Sequence, residues 1–371
     1  MWLMLRSEQL IVAIRTDASV QIGTGHVMRC LSLAARLRQE GAEVFFISRL
    51  LPGHLCNYIQ AQDFPVKRLP APRPGKRSSK DYRQWLGVSD RQDIMDACRA
   101  LPRRRVDWLV VDHYALDIGW ESKFRPHARN ILVIDDLANR RHDCDLLLDQ
   151  NRLQNVAARY EKLTPSNCRI LLGPQYALLR EEFQSAHQHP RTRNGSIRRA
   201  MVFFGGIDAS NETAKAIRSI HALGNLDLEV DIIVGSSNPH RKTLGAWRSS
   251  RVKIYTQVNH MADLMQRADL AIGASGVTSW ERCCVGLPSI TVCMAENQKA
   301  IAEHLARAKA GIYLGLARNV TVAQISKAIK QLMIDHRLTR QLGRNAFRLV
   351  DGRGTERVLK HMKAIETQGD S

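Results

Sequence analysis

The stretch GASGVTSWERCCVGLPSITVCMAENQ, residues 273–298, is typical of a nucleotide site in an α/β fold. A strand-like run leads into the small-residue turn 273–276, whose backbone can approach a diphosphate without steric hindrance. A helix that begins at Val277 or Thr278 would direct free N–H groups and the positive end of its dipole at that diphosphate. Glu281, one turn further, would accept hydrogen bonds from the ribose hydroxyls. The alternative is an ordinary turn in which Gly and Ser cap the helix.

A second glycine turn lies near the start of the chain. The apolar run 11–14 leads into residues 23–26 (GTGH), and residues 27–37 follow with a helical apolar pattern. His26 therefore lies where a strand passes into a helix, the usual place for ligands in an open α/β sheet. A lone histidine at a turn is more often a cap, and the fingerprint G-x-G-x-x-G is absent because Met28 replaces its third glycine. The presence of two such turns, each in its own βα array, favours ligand binding.

Short apolar runs alternate with helical ones in both halves of the chain. Near-continuous apolar runs are typical of parallel strands covered on both faces. The predicted strands are 11–15, 43–47, 108–112, 131–135, 145–148 and 169–172 in the first half, and 200–204, 230–234, 252–255, 270–272 and 290–293 in the second. We therefore predict an α/β fold with two Rossmann-like, doubly wound domains that face a cleft.

The length of 371 residues also favours two domains over a single core. Between residues 183 and 199 the pattern breaks into Gln, His, Pro, Arg, Asn and Gly, a linker composition. We expect an N-terminal domain in residues 1–185, a linker in 186–199, a C-terminal domain in 200–350, and a final helix in 351–371. Thr321 and Gln324 predict a capping box for a helix in the second domain.

The formal net charge is +19, which suits an anionic substrate drawn into a basic site. The same charge is the usual argument for nucleic acid or an anionic membrane surface. The basic residues are scattered, however, with short runs such as 103–105 and no interleaved aromatic set on which bases could stack. We therefore expect no nucleic-acid partner.

The eight cysteines include no C-x-x-C pair, so their spacing argues against zinc. The cluster 142–145 (HDCD) is better interpreted as a solvated turn than as a metal site. No apolar segment reaches the ~20 residues of a membrane span, and residues 1–6 lack the features of a secretion signal. We expect a reduced, cytoplasmic protein without membrane insertion.

Taken together and in order, these motifs resemble those of the PseG family, the UDP-2,4-diacetamido-2,4,6-trideoxy-β-L-altropyranose hydrolases of pseudaminic acid biosynthesis, relatives of MurG-like GT-B glycosyltransferases. The matching segments are 15–19 (RTDAS), 23–30 (GTGHVMRC), 110–114 (VVDHY), 135–140 (DDLANR), 145–151 (DLLLDQN), 172–180 (LGPQYALLR), 203–208 (FFGGID) and 273–298. The sequence departs from the family in its first nine residues and in a Pro- and Arg-rich insertion near residues 70–85.

The resemblance implies a GT-B arrangement, in which residues 1–185 form the sugar and catalytic domain, residues 200–350 form the UDP-binding domain, and the final helix packs on the first domain. It implies hydrolysis between the sugar C1 and the diphosphate, with UDP as the leaving group and no cofactor or metal. It implies that His26 takes a proton from the attacking water, a role that suits an imidazole. It also implies that Asp17, Tyr114 and Asn297 line the sugar site, with Gly25 among the substrate-binding residues. The biological product would be a nonulosonic acid for flagellin or another surface glycan.

The second half is expected to hold the leaving group. The residues expected at the diphosphate are Gly205, Gly206, Ser275, Gly276, Val277 and Thr278, with Glu281 at the ribose. Backbone N–H groups and basic side chains there can neutralise the departing charge.

Several of these polar residues have structural alternatives. Tyr114 could be a core residue with its hydroxyl satisfied locally, and Asp17 could shape its loop as an Asx turn. Asn297 and Asp208 could cap the helices that follow them. The main functional alternative is a GT-B glycosyltransferase that passes the sugar to an acceptor. A third possibility is a non-catalytic binding protein on a basic α/β scaffold.

Overall fold

The computed structural model describes residues 9–73, 81–151, 157–224 and 227–369. Residues 1–8 of the N-terminal extension, and residues 74–80 of the insertion near 70–85, lie outside the described residues. The chain forms two compact units: one runs to Leu178 and resumes at Gly354, and the other is Leu179–Arg353. Each unit contains one parallel sheet with helices on both faces.

The sheet of the first unit has seven strands in the order β3-β2-β1-β4-β5-β6-β7. The strands are β1 (Ile11–Thr16), β2 (Glu43–Arg49), β3 (Val66–Leu69), β4 (Val106–Asp112), β5 (Ala128–Ile134), β6 (Leu146–Asp149) and β7 (Arg169–Leu172). The helices before the boundary are α1 (Gly25–Gln39), α2 (Cys56–Gln60), α3 (Asp90–Ala100), α4 (Ile118–Phe124) and α5 (Ala157–Tyr160). All residues of β1 and β4 are buried, because helices cover both faces of these central strands.

The second sheet has six strands in the order β10-β9-β8-β11-β12-β13. The strands are β8 (Arg199–Phe203), β9 (Glu229–Val234), β10 (Val252–Thr256), β11 (Leu270–Ala274), β12 (Ser289–Cys293) and β13 (Ile312–Leu316). The helices are α6 (Glu181–Gln188), α7 (Glu212–His221), α8 (Arg241–Leu244), α9 (Met261–Arg267), α10 (Thr278–Cys284), α11 (Lys299–Arg307), α12 (Val322–Ile334) and α13 (His336–Leu349). The predicted capping box of Thr321 and Gln324 is confirmed at the start of α12.

The division between the units falls after Leu178, earlier than the boundary that the sequence predicts after residue 185. Residues 186–199 are not an unattached linker, because they are bound to the second unit. Arg193 donates hydrogen bonds to the carbonyls of Met265, Ala268 and Val285 at 2.7–3.0 Å. The polar composition of residues 186–199 predicted a linker, because contacts between arginine side chains and backbone carbonyls leave no apolar pattern in the sequence.

The last helix, α14 (Gly354–Gly369), belongs to the first unit. Its Val358, Leu359 and Met362 are buried in the same apolar cluster as residues of β1 and α1. A side chain at Gly354 would collide with the backbone of Ala177, so this position requires glycine. In the described parts of the chain, no helix has both the length and the apolar character needed to cross a membrane.

Strand order reverses direction around one central pair in each sheet, β1 with β4 and β8 with β11. Loops that follow the carboxyl ends of such a pair diverge and leave a crevice, the usual ligand site of doubly wound sheets. His26 follows β1 and Tyr114 follows β4, whereas Gly205 follows β8 and Ser275 follows β11. The topology thus brings the predicted residues of each unit to one edge of its own sheet.

Candidate active site

The turn before α1 is shaped by local hydrogen bonds that place His26 at the helix start. Ser19 Oγ accepts hydrogen bonds from the amides of Gln21 and Ile22 at 3.2 and 3.0 Å. Gly23 has a φ of +81°, a left-handed conformation that favours glycine. α1 then begins at Gly25, and His26 lies in its first turn with 7% of its surface exposed.

His26 is paired with Asp112, the last residue of β4. His26 Nδ1 lies 2.5 Å from Asp112 Oδ1. Arg29, one turn after His26, donates from Nε and Nη2 to the two oxygens of Asp112, each at 2.6 Å. This two-pronged contact fixes the plane of the carboxylate, and the carboxylate in turn orients the imidazole.

Asp112 also determines which nitrogen of His26 carries the proton. Burial alone would raise the pKa of Asp112, but Arg29 and His26 outweigh it and hold that pKa well below its usual range. An ionised carboxylate only accepts hydrogen bonds, so His26 Nδ1 donates to it. In the neutral imidazole, Nε2 then carries the free lone pair and can take a proton.

Tyr114 lies beside His26 with the two rings in an edge-to-face contact, 4.6 Å between centroids. Its hydroxyl donates to Asp136 Oδ1 at 2.7 Å, and Asn151 Nδ2 donates to Oδ2 of the same carboxylate. Arg29 Nη1 lies 3.7 Å from Asp136 Oδ2. Tyr114 is 6% exposed and its hydroxyl is satisfied locally, as its structural alternative predicts, yet it contacts the imidazole that the functional interpretation requires.

Asp17 lies in a fully buried ionic network. Its carboxylate is 2.7 Å from Arg15 Nη1, accepts the amide of Arg49 at 2.7 Å, and accepts from Ser48 Oγ at 3.2 Å. His113 Nε2 lies 3.4 Å from Asp17 Oδ2. Since Asp17 has no exposed surface and its oxygens are occupied, the geometry favours a structural role, and substrate contact stays a prediction.

Asp149, at the end of β6, is a buried carboxyl group close to the Asp136 cluster. It accepts hydrogen bonds from the Tyr160 hydroxyl at 3.1 Å and from the amide of Asn151 at 2.9 Å. Burial, and then the Asp136 charge, raise the pKa of Asp149 to about 7. The folded chain therefore holds this proton at a pH at which an unfolded chain has released it.

We expect Asp149→Asn to reduce the loss of stability on going from mildly acidic to mildly alkaline pH. The folded pKa of about 7 exceeds the unfolded value, so stability is lost as the pH rises toward 7. Asparagine has no such charge, so its free energy of unfolding should fall less between about pH 5 and about pH 8. Urea unfolding of both proteins at the two pH values measures this difference. Equal losses would show that Asp149 does not hold the proton.

The glycines after β8 form a turn whose shape depends on close backbone approach. Gly205 has a φ of +90°, and a Cβ there would meet no neighbouring atom, so its requirement is conformational. A Cβ at Gly235 would collide with the carbonyl of Gly206. Asp208 accepts hydrogen bonds from the amides of Glu212 and Thr213 at 2.8 and 2.9 Å, so it satisfies the start of α7 although the N-cap position itself is Asn211.

The turn after β11 differs in one respect from the sequence-based prediction. Gly273 lies within the strand, and a Cβ there would collide with the carbonyl of Phe203 on β8, so this glycine serves strand packing. Arg282 Nη2 donates hydrogen bonds to Ala274 O and Ser279 Oγ, both at 2.9 Å. These bonds connect the end of β11 to α10 and stabilise the turn between them. Ser275 Oγ is buried and has no hydrogen-bond partner among the described residues.

Glu281 lies on α10, which begins at Thr278 as predicted, with Val277 as the preceding residue. Glu281 Oε1 accepts a hydrogen bond from Arg180 Nη2 at 3.4 Å. Its Oε2 is buried without a partner in the described part of the chain, and burial raises the pKa of Glu281. A buried carboxylate oxygen without a donor is costly, so a ligand hydroxyl that donates to it would be bound favourably.

Asn297 lies in a single 3-10 turn between β12 and α11 and is half-buried. It does not cap α11, whose preceding residue is Gln298, so its capping alternative is wrong. Gln298 accepts from the amide of Met294 at 2.9 Å, and its Nε2 lies 3.9 Å from the position that a Cβ on Gly276 would take. The loop that carries Asn297 therefore approaches the Ser275–Thr278 turn.

The side chains of the 142–145 cluster have separate partners. His142 Nδ1 lies 2.7 Å from Glu121 Oε1, Asp143 pairs with Arg125, and Cys144 Sγ is 3.6 Å from Cys168 Sγ. Among the residues that the structure describes, no group of three or more His, Cys, Asp or Glu side chains is arranged to hold a metal ion.

Three residues that the sequence reasoning left without a role belong to the His26 group: Arg29, Asp112 and Asp136. A signal for two of them was available. His26 and Arg29 are three residues apart and share a helix face, and Asp112 ends the strand paired with β1, where Thr16 is its register partner. Asp136 gave no comparable signal, since its position depends on how β5 ends.

Comparison with known families gives one match to part of the chain. Residues 200–348 match the family described as the glycosyltransferase family 28 C-terminal domain. The match covers most of the second unit and includes the turn after β8 and the Ser275–Thr278 turn.

Two relatives match over most of their own length. The spore coat polysaccharide biosynthesis protein SpsG of Bacillus subtilis is 30% identical over 362 residues, 96% of this chain and 99% of that protein. The UDP-2,4-diacetamido-2,4,6-trideoxy-β-L-altropyranose hydrolase of Campylobacter jejuni is 26% identical over 300 residues, 80% of this chain and 96% of that protein. The chain spans 56% of a third relative, the protein MJ1062 of Methanocaldococcus jannaschii, at 26% identity.

Among solved structures, MurG of Acinetobacter baumannii is similar with a TM-score of 0.59 at 13% identity. The similarity covers 96% of this chain and all of that one. At this identity the likeness shows the fold alone, which is of the GT-B type with two Rossmann-like domains.

Proposed function

We propose that this chain, which belongs to the PseG family, hydrolyses UDP-2,4-diacetamido-2,4,6-trideoxy-β-L-altropyranose to UDP and the free sugar. The name of the Campylobacter jejuni relative supports this substrate, and the family 28 match to residues 200–348 supports an enzyme that acts on nucleotide sugars. The observation that carries the hydrolytic step is the His26–Asp112 contact of 2.5 Å. This contact orients His26 as a base that could act directly on water.

In the proposed reaction, His26 Nε2 removes a proton from a water molecule as the water attacks C1 of the sugar. The bond between C1 and the diphosphate oxygen breaks, and its electrons leave with UDP. Asp112 stabilises the imidazolium that forms, because its negative charge is held beside Nδ1 by Arg29. Tyr114 packs against the imidazole in an edge-to-face contact that would limit rotation of the ring.

The second unit is proposed to bind the leaving group. Backbone amides of Ser275, Gly276, Val277 and Thr278, with the Gly205–Gly206 turn, would bind the diphosphate. The unpartnered Oγ of Ser275 is a further group available to a phosphate oxygen. Asn297, on the loop next to Gly276, is proposed to reach the substrate from the same side.

The alternative function, a glycosyltransferase, is supported by the family 28 match to residues 200–348. A transferase would use His26 to deprotonate an acceptor hydroxyl instead of water, with the same leaving group. Incubation of the purified protein with the UDP-sugar and no acceptor separates the two functions. Release of free sugar and UDP in equal amounts supports the hydrolase, and turnover that requires an added acceptor supports the transferase.

We expect Glu281→Gln to weaken UDP binding about tenfold, because a charged acceptor for the ribose is lost. The same change should weaken 2′-deoxy-UDP much less, since that ligand lacks one of the donors. Calorimetric titration with both nucleotides measures the ratio, and Glu303→Gln on α11 is the matched control. A similar loss for the two nucleotides would assign Glu281 a structural role with Arg180 instead.

A further inference from the structure

Two aromatic side chains pack against Tyr114. Neither belongs to a sequence motif named above, and neither has a role in the proposed reaction. Tyr82 and Trp85 belong to a 3-10 turn, Tyr82–Leu86, at the end of the insertion near residues 70–85. The Tyr82 and Tyr114 centroids are 5.1 Å apart, the Trp85 and Tyr114 centroids 5.8 Å, and those of Tyr82 and Trp85 4.7 Å. With His26 on Tyr114 as well, four rings form one continuous group.

The turn is anchored independently of these two rings. Leu86 is fully buried in an apolar cluster of the first unit, and Asp81 accepts the amide of Arg83 at 3.0 Å. Tyr82 and Trp85 are only half-buried, and neither belongs to the two apolar clusters that contain the residues of β1 and β4. Packing in these two clusters therefore does not account for two large aromatic side chains at these positions.

Polar groups around the rings point to a ligand that is partly apolar and partly polar. Trp85 Nε1 is inaccessible to solvent and has no acceptor among the described residues, although a buried indole N–H ordinarily finds one. Asp136, which accepts a hydrogen bond from the Tyr114 hydroxyl, is still partly exposed. Burial of Tyr82, and then the charge of Asp136, raise the pKa of Tyr82. An acceptor for the indole and a donor for Asp136 are both features of an amide.

We propose that Tyr82 and Trp85 form an aromatic wall of the sugar subsite beside His26, which selects N-acetylated 6-deoxy sugars over sugars that carry a 6-hydroxyl. This inference rests on the proposed function. Methyl groups and C–H faces of such a sugar would pack against the rings, and an acetamido carbonyl would supply the acceptor that Trp85 Nε1 lacks. An acetamido N–H could donate to a further lone pair of Asp136, whose oxygens already accept from Tyr114 and Asn151. A 6-hydroxyl placed against the rings would lose its hydration without a replacement partner.

The test is equilibrium binding in a His26→Ala background, in which turnover does not obscure the measurement. Three ligands are titrated: the UDP-diacetamido-trideoxy sugar, UDP-N-acetylglucosamine with its 6-hydroxyl, and UDP. We expect Tyr82→Ala and Trp85→Ala each to weaken the deoxy sugar nucleotide about tenfold and to leave UDP within about twofold. Tyr82→Phe, which keeps the ring, should stay close to the parent protein.

Trp247→Ala is the matched control, because Trp247 is also a half-buried aromatic residue on a 3-10 turn but belongs to the second unit. Circular dichroism and thermal unfolding confirm that each variant is folded. The proposal is overturned if the alanine variants keep the preference for the deoxy sugar, or if UDP and both sugar nucleotides weaken equally.

The proposed function and the wall can fail separately. A wild-type protein that prefers the deoxy sugar nucleotide through Tyr82 and Trp85 but releases no sugar would contradict the hydrolase and retain the wall. A wild-type protein that hydrolyses the substrate while the variants keep full discrimination would do the reverse.

Discussion

Replacement of His26 by alanine should lower kcat by about 10²-fold or more while UDP binding persists. His26 is the base in the proposed reaction, and its nitrogen Nε2 carries the free lone pair once Nδ1 donates to Asp112. The residues proposed to bind UDP lie in the second unit, so their geometry does not depend on the imidazole. Steady-state kinetics and a UDP titration on the same preparation measure the two effects.

His127→Ala is the matched control for this variant. His127 is exposed and precedes β5, at the amino edge of the sheet, whereas His26 lies at the carboxyl edge. His127→Ala should keep the wild-type kcat. Added imidazole should restore part of the activity of His26→Ala and should not change the activity of His127→Ala. Full activity without the His26 imidazole would remove the base from the mechanism, and loss of UDP binding in His26→Ala would point to a structural role.

The second large effect is expected for Asp112→Asn, with a loss of about 10²-fold or more in kcat and little change in KM. The amide can still accept from Arg29, but its NH₂ group would donate to His26 Nδ1. That exchange moves the imidazole proton to Nε2, so the nitrogen that is proposed to take the proton from water can no longer accept one. The loss therefore arises from the wrong tautomer and not from the absence of histidine.

Arg29 loses its closest carboxylate in this variant and keeps only the 3.7 Å contact with Asp136. Removal of one partner of a buried pair costs up to about 3–5 kcal/mol. Assays therefore belong at a temperature where thermal unfolding shows the variant to be folded. Addition of imidazole should not restore activity, because His26 still occupies the site. A folded Asp112→Asn protein with kcat within about threefold of the wild type would contradict the positioning role of Asp112.

The central strands were predictable because their apolar runs are long and uninterrupted. The edge strands β3 and β13 were not, because β3 carries exposed Lys67 and Arg68 and β13 has a register shift opposite Thr291 and Val292. Both strands lie at the edge of a sheet, where one side has no strand partner and side chains need not be apolar.

The site was predictable where a residue type signals its own chemistry, and less so where function depends on tertiary pairing. His26 and Glu281 could be identified from a glycine turn and a helix start. Asp112 acquires its role only because β4 pairs with β1. Asp17 follows β1 as His26 does, and only its ion pair with Arg15 in the folded chain shows that it belongs to a different group of residues. Gly273 looked like part of a phosphate-binding turn, although its true constraint is the backbone of β8.

The most direct test of the hydrolytic function is mass spectrometry of the products formed in ¹⁸O-labelled water. Purified protein is incubated with UDP-2,4-diacetamido-2,4,6-trideoxy-β-L-altropyranose, and free sugar in the same water serves as the control for anomeric exchange. Attack at C1 predicts label in the released sugar above that control, and none in UDP. Label in UDP would show attack at phosphorus and contradict the account, as would release of sugar only after an acceptor is added.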